Sequence, residues 1–437
     1  MQFPEGFVKK YETILGDEAR AFLASFDDEA VSAFRINPLK ERQLSFSDAI
    51  PNTPWGYYGK VSGKSPEHVT GLVYSQEPAA QMVAQVAQPK PGMKVLDLAA
   101  APGGKSTQLA SYLAGDGLLI SNEISSKRSK ILVENMERFG ATNVVVTNES
   151  ADRLAKVFKG YFDLIVLDAP CSGEGMFRKQ PDAMDYWSVD YPSQCASLQR
   201  EILADAVTML AEGGRLVYST CTWAPEENEE IIHWLLDSYD FELIPIEHIN
   251  GMDPGIGLPE TARMYPHHFK GEGQFVAHLQ FKGQNKAGKF KPSKSNLSRE
   301  QISLWQDFEK KHLKEKLTGV LQVFGDQLYL LPEVLPDIGK LKIARNGLHL
   351  GTFKKKRFEP SFALGLALKP SQVKQVIEIH QEDFVKYVAG ETVQLAETLP
   401  NGWYQVLVGG NGLGFAKVTG NTLKNYFPKG LRFQVKN

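Results

Sequence analysis

The stretch from about Glu77 to Lys282 alternates strand-like and helix-like segments, and this alternation limits the fold more than any other feature of the chain. Such alternation is typical of a parallel sheet whose strands are joined by crossover helices. The predicted strands are Lys94–Ala100, Leu118–Glu123, Val144–Asn148, Phe162–Ala169, Arg215–Cys221 and Phe241–Ile246. The predicted helices are Lys105–Ala114, Lys127–Phe139, Ser193–Leu210 and Glu226–Leu236. We therefore expect an α/β fold built on a doubly wound sheet.

The remaining segments indicate further domains, because 437 residues exceed what one compact core usually holds. Two more strands, Met264–His267 and Gln274–Phe281, are expected to form an antiparallel hairpin at the sheet edge. A stretch rich in Gly, Lys, Asn, Pro and Ser follows and predicts a linker. Short strands are predicted beyond it at Leu328–Leu331, Leu348–Phe353, Trp403–Val408 and Gly414–Val418. The predicted division is an N-terminal extension (1–75), a core (76–284), a linker (285–300) and a C-terminal region (301–437).

Charge is distributed unevenly along the chain, although the formal net charge is only −2. From Lys286 onward there are 24 Lys and Arg against 13 Asp and Glu. Of the totals of 49 and 51, this leaves 25 basic and 38 acidic residues in the preceding part. A basic C-terminal part on an acidic body favours a polyanionic partner such as RNA.

Cysteine usage and the N-terminus both point to an intracellular protein. The three cysteines, Cys171, Cys195 and Cys221, are odd in number and form no CxxC pair, which argues against disulfides and a structural zinc site. The N-terminus lacks the features of a secretory signal, and no apolar stretch is long enough to span a bilayer. We expect a cytoplasmic, monomeric protein with no membrane partner and no metal.

A turn of small residues follows the first predicted core strand and opens a helix. Its residues are Ala99, Ala100, Ala101, Pro102, Gly103, Gly104 and Lys105. In a doubly wound sheet, ligands bind beyond the carboxyl ends of the strands, over this first turn. Glu123 ends the second strand, nineteen residues after Gly104, where a carboxylate can accept hydrogen bonds from ribose hydroxyls. Asp168 ends the fourth strand, and together these residues predict an adenosine-containing ligand.

Other interpretations of this turn remain open at this point. Residues Ala99 to Ser106 fit a relaxed Walker A pattern, which makes a P-loop ATPase the alternative from a different class. Ala99 in place of the first glycine and Pro102, which has no amide hydrogen, argue against a phosphate-binding loop. A dehydrogenase is disfavoured because Gly-x-Gly-x-x-Gly is absent. The small residues alone are also compatible with mere tight packing of strand and helix.

Two cysteines lie at the carboxyl ends of neighbouring predicted strands. Cys171 follows Asp168-Ala-Pro, and Cys221 lies in Ser-Thr-Cys-Thr, whereas Cys195 lies within a helix and is expected to be a packing residue. Carbon 5 of cytosine is a poor nucleophile until a thiolate adds to carbon 6, and a carboxylic acid at the ring nitrogen assists this addition. Two thiols and an acid therefore fit methylation of cytosine at carbon 5.

Three of these motifs, in this order, resemble the Sun-type RNA cytosine carbon-5 methyltransferases. They are the strand and turn ending at Lys105, Asp168-Ala-Pro-Cys171-Ser-Gly-Glu-Gly and Ser-Thr-Cys221-Thr. The resemblance implies a Rossmann-like class I methyltransferase core that binds S-adenosyl-L-methionine through Ala99–Lys105, Glu123 and Asp168. It also implies that Cys221 attacks carbon 6, that Cys171 assists release, that Asp168 reaches the cytosine, and that Lys105 holds this acid.

The resemblance extends into the flanking regions. Phe34–Lys40 is similar to the family's N-terminal motif, and Arg263–Gly273 to its closing hairpin. The hairpin and C-terminal extension are most similar to the subgroup of ribosomal small-subunit methyltransferase F. Residues 360–437 resemble its PUA-type RNA-binding domain. This implies a flipped cytosine in 16S ribosomal RNA, within the small ribosomal subunit, as the target. The alternatives are a tRNA cytosine methyltransferase and a non-catalytic RNA-binding protein.

Overall fold

A computed structural model describes residues 1–435 of the chain, so that Lys436 and Asn437 of the predicted C-terminal region lie outside the described residues. Within residues 1–435, none of the helices combines the length and the apolar character needed to cross a membrane. Four sheets organise the described residues.

The N-terminal segment forms three helices and a small antiparallel sheet. Its elements are α1 (Phe7–Leu15), α2 (Ala19–Ala24), β1 (Ala33–Ile36), β2 (Gly56–Tyr58), α3 (Pro66–Val69) and β3 (Val73–Ser75). Strand β1 lies in the middle, in the order β2-β1-β3. Helix α4 starts directly after this sheet because Pro78 occupies its first turn and the Glu77 carboxylate accepts from the Ala79 and Ala80 amides, each at 2.9 Å.

The core is one large mixed sheet with helices on both faces. Its helices are α4 (Pro78–Ala87), α5 (Gly104–Leu113), α6 (Ser126–Phe139), α7 (Ala151–Val157), α8 (Tyr191–Met209) and α9 (Glu229–Ser238). Its strands are β4 (Lys94–Asp97), β5 (Leu118–Asn122), β6 (Val144–Thr147), β7 (Phe162–Asp168), β8 (Leu210–Thr220), β9 (Phe241–Leu243), β10 (Asp253–Gly255), β11 (Leu258–Met264) and β12 (Gln274–Phe281). Helices α4–α6 cover one face with apolar side chains, and α7–α9 cover the other.

The strand order confirms the predicted doubly wound arrangement. Strands β6-β5-β4-β7-β8 are parallel, and β12 joins β8 in the antiparallel sense, followed by β11 and β10. In order of appearance the parallel part is 3-2-1-4-5, the Rossmann-like order that leaves a crevice over the first strand. The α/β fold class with an antiparallel hairpin is therefore confirmed.

Two predicted strands differ most from the structure. The strand predicted at Met264–His267 is wrong, because β11 ends at Met264 and residues 265–273 form turns. Pro266 has no amide hydrogen to donate to a strand partner, which is one physical reason for this end. Strand β8 begins at Leu210, five residues before the predicted Arg215, because Leu210 pairs with Phe162 of β7.

The C-terminal region contains two smaller sheets. Its elements are α10 (Arg299–His312), β13 (Val320–Phe324), β14 (Gln327–Leu331), β15 (Ile343–Asn346), β16 (Leu348–Lys354), β17 (Arg357–Pro360), α11 (Phe362–Ala367), β18 (Val376–Glu378), α12 (Gln381–Ala389), β19 (Val393–Gln394), β20 (Gly402–Val408), β21 (Asn411–Thr419) and β22 (Thr422–Lys424). Strands β13-β14-β16-β17 form one sheet, and β18-β20-β21-β22-β19 form the other.

Strand β15 does not belong to either C-terminal sheet. It pairs with β6 in the antiparallel sense and completes the edge of the core sheet. The buried Arg345 guanidinium donates to the carbonyl oxygens of Val144 (3.1 Å) and Ala141 (2.8 Å). Sequence patterning did not predict this strand, because four residues with one arginine carry no clear periodicity.

Candidate active site

Four parallel strands bring polar side chains to one edge of the core sheet. Strand β4 ends at Asp97, β7 ends at Asp168, and Glu123 and Cys221 directly follow β5 and β8. Because parallel strands point the same way, these ends form a single crevice. The structure therefore brings the predicted acids and one predicted thiol to the same edge of the sheet.

The turn of small residues, Ala99–Lys105, lies over the end of β4. The Ala100 amide donates to the Asn122 carbonyl at 2.8 Å, and the Ala101–Pro102 peptide bond is cis. The fully buried Arg35 of β1 holds the turn from behind, because its guanidinium donates to the Gly104 carbonyl at 2.8 Å. The same side chain donates to Thr107 Oγ1 at 2.7 Å. The N-terminal sheet thus supports the start of α5.

Glu123 is nearly buried beside this turn. Its Oε1 accepts from the Ser125 amide at 2.8 Å, and its Oε2 lies 3.5 Å from the Arg128 guanidinium. Arg128 also donates to the Ala101 carbonyl at 2.7 Å, so one side chain ties the carboxylate to the turn. A fixed carboxylate next to small residues can accept hydrogen bonds from the hydroxyls of a ribose that binds at the strand end.

Asp97 is fully buried under the turn. Its Oδ2 accepts from the Ser106 hydroxyl at 2.7 Å, whereas its Oδ1 has no hydrogen-bond partner among residues 1–435. Burial raises the pKa of Asp97 to about 7, although the Ser106 hydrogen bond and Lys105 act in the opposite direction. Asp97 therefore lies beneath the turn rather than open to the crevice.

Asp168 is held by three donors on different elements. Lys105 Nζ lies 2.7 Å from its Oδ2, and the Ser219 hydroxyl donates to its Oδ1 at 2.7 Å. Gln274 of β12 donates to the same Oδ1 at 3.1 Å. Burial opposes the charged form of Lys105, but the Asp168 carboxylate outweighs it and leaves the pKa of Lys105 raised. The pair therefore forms a fixed ammonium–carboxylate unit in the crevice.

The two predicted active-site thiols meet directly. Cys171 Sγ and Cys221 Sγ are 3.3 Å apart, within reach of an S–H···S hydrogen bond. This hydrogen bond, followed by burial, raises the pKa of Cys171 well above its ordinary value. The contact and burial therefore favour the thiol form of Cys171.

Glu227 orders the loop that carries Cys171, a role that the sequence did not reveal. Its Oε1 accepts from the Ser172 amide and from Gln199 Nε2, both at 2.9 Å, and its Oε2 lies 2.5 Å from Ser172 Oγ. Burial raises the pKa of Glu227 to about 7. In the sequence, Glu227 lies in the acidic run Glu226–Glu230, a pattern that predicts only a favourable first turn of a helix.

Glu174 connects the same loop to the N-terminal helices. Its buried carboxylate accepts from the hydroxyls of Thr222 (2.9 Å) and Tyr11 and from the Trp187 indole (2.9 Å). Gly175, the next residue, donates its amide to the Cys221 carbonyl at 2.9 Å. A Cβ on Gly175 would come within 2.8 Å of that carbonyl oxygen, so the approach requires glycine.

The third cysteine lies within a helix, beside Glu227. Cys195 is buried within α8, as expected for a packing residue, and burial, followed by Glu227, raises its pKa to about 11.

Four cations, Lys354 to Arg357, span the turn between β16 and β17. The flanking rings of Phe353 and Phe358 are both buried, and Phe358 packs on Trp305 and Phe308 of α10.

Comparison with known protein families gives matches to four successive parts of the chain. The family described as 16S rRNA methyltransferase RsmB/F matches residues 84–280. Three RsmF-specific descriptions match the flanks: the N-terminal domain (3–78), the first C-terminal domain (307–368) and the PUA domain (374–433). All four describe methyltransferases, which disfavours the P-loop ATPase.

Individual relatives agree with the family matches. Ribosomal RNA small subunit methyltransferase F of Shewanella loihica is 33% identical, with 91% of this chain and 88% of its own covered. The protein of the same name from Aeromonas salmonicida is 31% identical over 94% and 92%. A solved methyltransferase homologue from Pyrococcus horikoshii superposes with a TM-score of 0.55 at 29% identity, over 62% of this chain and 93% of that one. This chain therefore belongs to the RsmB/F family of 16S rRNA methyltransferases and is an S-adenosylmethionine-dependent RNA methyltransferase.

Proposed function

We propose that this enzyme methylates carbon 5 of a cytosine in 16S ribosomal RNA through a covalent bond to Cys221. The observation that carries the proposal is the pair of thiols 3.3 Å apart beside the Lys105–Asp168 pair. The names of the Shewanella and Aeromonas relatives support small-subunit ribosomal RNA as the substrate rather than tRNA. We further propose that the enzyme acts in the cytoplasm, as a monomer, on RNA of the small ribosomal subunit.

The residues at the strand ends fit S-adenosyl-L-methionine, which supplies an electrophilic methyl group when bound. We assign its binding to Ala99–Lys105, Glu123 and Asp168. The Glu123 carboxylate accepts from the ribose hydroxyls, and the small side chains of the turn allow a close approach of the backbone.

The proposed reaction begins with the Cys221 thiolate, which forms a bond to carbon 6 of the flipped cytosine. Electron density moves to carbon 5, and the Lys105–Asp168 pair stabilises the ring nitrogen through a hydrogen bond. Carbon 5 then forms the bond to the methyl group, whose bond to the sulfonium sulfur of the donor breaks with both electrons staying on that sulfur. A base then removes the carbon-5 proton, the double bond between carbons 5 and 6 re-forms, and the bond to Cys221 breaks with its electron pair returning to the sulfur. We assign assistance in this release to Cys171, whose sulfur is freed when Cys221 becomes bonded.

The division of labour along the chain is part of the proposal. We infer that residues 76–284 perform the transfer, and that 1–75 and 301–437, joined through 285–300, bind RNA around the target. The exposed cations of Lys354–Arg357 and the match of residues 374–433 to a PUA domain support this assignment. Phosphate contacts of such cations hold structured RNA without reading its sequence.

The decisive experiment separates the two thiols. Cys171→Ala should accumulate a covalent protein–RNA adduct that survives denaturation, because release is blocked after attack. Cys221→Ala should form no adduct and no 5-methylcytosine, and Cys195→Ala, the matched control, should behave as the wild type. An adduct with Cys221→Ala but not with Cys171→Ala would reverse the two roles. Offering 16S ribosomal RNA, small subunits and tRNA in parallel tests the substrate.

A further inference from the structure

Two adjacent histidines face the same glutamate at the junction of the N-terminal segment and the β11–β12 hairpin. His267 and His268 lie in the turn that follows Pro266, and Glu18 ends the short helical turn between α1 and α2. Adjacent residues on a strand point to opposite faces, so two adjacent histidines on a strand could not bind the same metal ion. That geometry does not apply here, because the two residues lie in a turn and their ring centroids are only 4.0 Å apart.

The spacing of the three side chains fits a transition-metal ion. Glu18 Oε2 lies 3.4 Å from His267 Nε2 and 3.7 Å from His268 Nε2. One ligand atom from each residue lies within 4.8 Å of the others. A tetrahedral Zn²⁺ ion with bonds of about 2.0–2.2 Å places its ligand atoms about 3.3–3.5 Å apart.

A second carboxylate fixes the orientation of one imidazole. His268 Nδ1 lies 2.9 Å from Asp253 Oδ2 and 3.1 Å from Oδ1, so this nitrogen carries the hydrogen and donates it. In the neutral ring, the lone pair is then on Nε2 and faces the Glu18 carboxylate. A lone pair against an anionic oxygen is repulsive unless a cation lies between them. Carboxylate–histidine–metal arrangements have this form.

The other imidazole is fixed by burial. The His267 side chain is only 6% exposed and packs against the rings of Phe22 and Tyr265. Its Nε2 therefore stays directed at the Glu18 carboxylate, where the metal ion would lie. The partly exposed Glu18 and His268 leave one side of the cluster open to water.

We propose that Glu18, His267 and His268 bind one divalent transition-metal ion, of which Zn²⁺ is the best match, with Asp253 as the orienting partner of His268. Nitrogen and oxygen ligands in this number suit zinc and leave a fourth position for water. The ion would link parts of the chain 249 residues apart. Tyr265 stacks on Trp223, two residues after Cys221, so the proposed ion lies behind the segment that carries Cys221. Its role is to secure the N-terminal helices on the core.

The test measures zinc binding by the full chain with Cys171→Ser and Cys221→Ser in every variant, because two neighbouring thiols also bind zinc. After removal of metal with a chelator, the parent should bind one equivalent of Zn²⁺ in calorimetry. Its melting temperature should rise by about 5 °C at zinc well above the dissociation constant. Co²⁺ should give the visible absorption bands of a site with nitrogen and oxygen ligands.

The variants decide between this site and any other. Glu18→Gln and His268→Gln should lose the zinc-dependent shift, and Asp253→Asn should weaken binding roughly 10–100-fold. His233→Gln, at an exposed histidine of α9, is the matched control and should bind as the parent does. Glu18 is mostly exposed, so its variant should fold. Equal binding by Glu18→Gln, His268→Gln and the parent, or no zinc-dependent shift in the parent, would overturn the proposal.

Discussion

Asp168 is the residue on which the geometry of the crevice depends. Its two oxygens accept from Lys105, Ser219 and Gln274, which belong to three elements. Each donor restricts the rotation of the carboxylate, and a fixed acceptor needs no reorganisation when the substrate arrives. Gln274 is the only one of the three that lies outside the recognised motifs, which makes it the informative position to change.

Gln274→Leu should lower kcat roughly 10–100-fold, because a hydrogen bond to a charged group contributes about 1.5–3 kcal/mol. Affinity for S-adenosylmethionine should change little if Glu123 and the turn carry most of it. Transfer of labelled methyl groups to 16S ribosomal RNA measures the first quantity and calorimetry the second. Gln280→Leu, on the same strand, is the control. An unchanged kcat would show that Ser219 and Lys105 suffice to hold Asp168.

Glu227 gives the enzyme a pH-dependent stability. Burial raises its pKa from 4.5 to about 7, so the folded chain binds more protons than the unfolded chain between these values. Stability conferred by this residue should therefore fall as pH rises through that window, by roughly 3 kcal/mol at most. Glu227→Gln keeps the shape and the acceptor for Ser172, and should remove this dependence. Urea unfolding of both proteins between pH 5 and 8 tests it, and parallel curves would contradict it.

At the scale of elements, a buried ion pair joins β11 to α9 behind the segment that carries Cys221. Arg263 is fully buried and its guanidinium pairs with Glu229 at 2.5 Å. The same side chain donates to the Trp223 carbonyl and the Tyr265 hydroxyl, both at 2.8 Å. Burial opposes the charge of Arg263, but Tyr265 and Glu229 outweigh it and leave its pKa raised. The pair therefore fixes the position of the hairpin.

Arg263→Met should destabilise the protein by about 3–5 kcal/mol, because it leaves the Glu229 carboxylate buried without its partner. The double variant Arg263→Met with Glu229→Gln should recover part of this loss, since no uncompensated charge remains. Denaturant unfolding of the single and double variants gives both values. A double variant as unstable as the sum of the two single variants would mean that the groups do not interact.

The sequence predicted those elements that are specified locally. Periodicity and turn residues predict strand ends within three residues of Asp97, Asp168 and Cys221, and the motifs assigned the chemistry to these positions. The contributions of Gln274 and Glu227 could not be predicted, because they depend on which strands and loops become neighbours. Strand β15 was missed for the same reason, since its pairing with β6 spans almost two hundred residues.

At the scale of the whole molecule, the Phe34–Lys40 motif connects three regions. Arg35 supports the turn of small residues, Ala99–Lys105, and Asn37 donates to the carbonyls of Gly71 (2.8 Å) and Phe139 (2.7 Å). Lys40 donates to the Leu366 carbonyl of α11 at 2.7 Å. Burial lowers the pKa of Lys40 to about 7, so this contact costs little charge desolvation above neutral pH. Residues of the N-terminal motif therefore help to hold the C-terminal region against the core.

Removal of the C-terminal region should damage the core itself. A chain ending at residue 284 lacks β15 and exposes the edge of β6, and should aggregate and melt at a lower temperature. A chain ending at residue 373 keeps β15 and the Leu366 carbonyl, and should stay closer to the full chain in both respects. Size-exclusion chromatography and thermal melting compare the three. Equal behaviour of the two shortened chains would contradict a structural role of β15.

The late position of β15 also has a consequence for biosynthesis. Strand β6 ends at Thr147, and the partner that closes it begins at Ile343. At bacterial or eukaryotic translation rates of about 5–20 residues per second, on the order of 10–40 seconds separate the two strands. During that interval the nascent sheet presents an open edge to the cytosol. Chaperones that recognise unpaired strands would be able to bind the chain during this interval. Slower translation between the two strands would lengthen the time available for such binding.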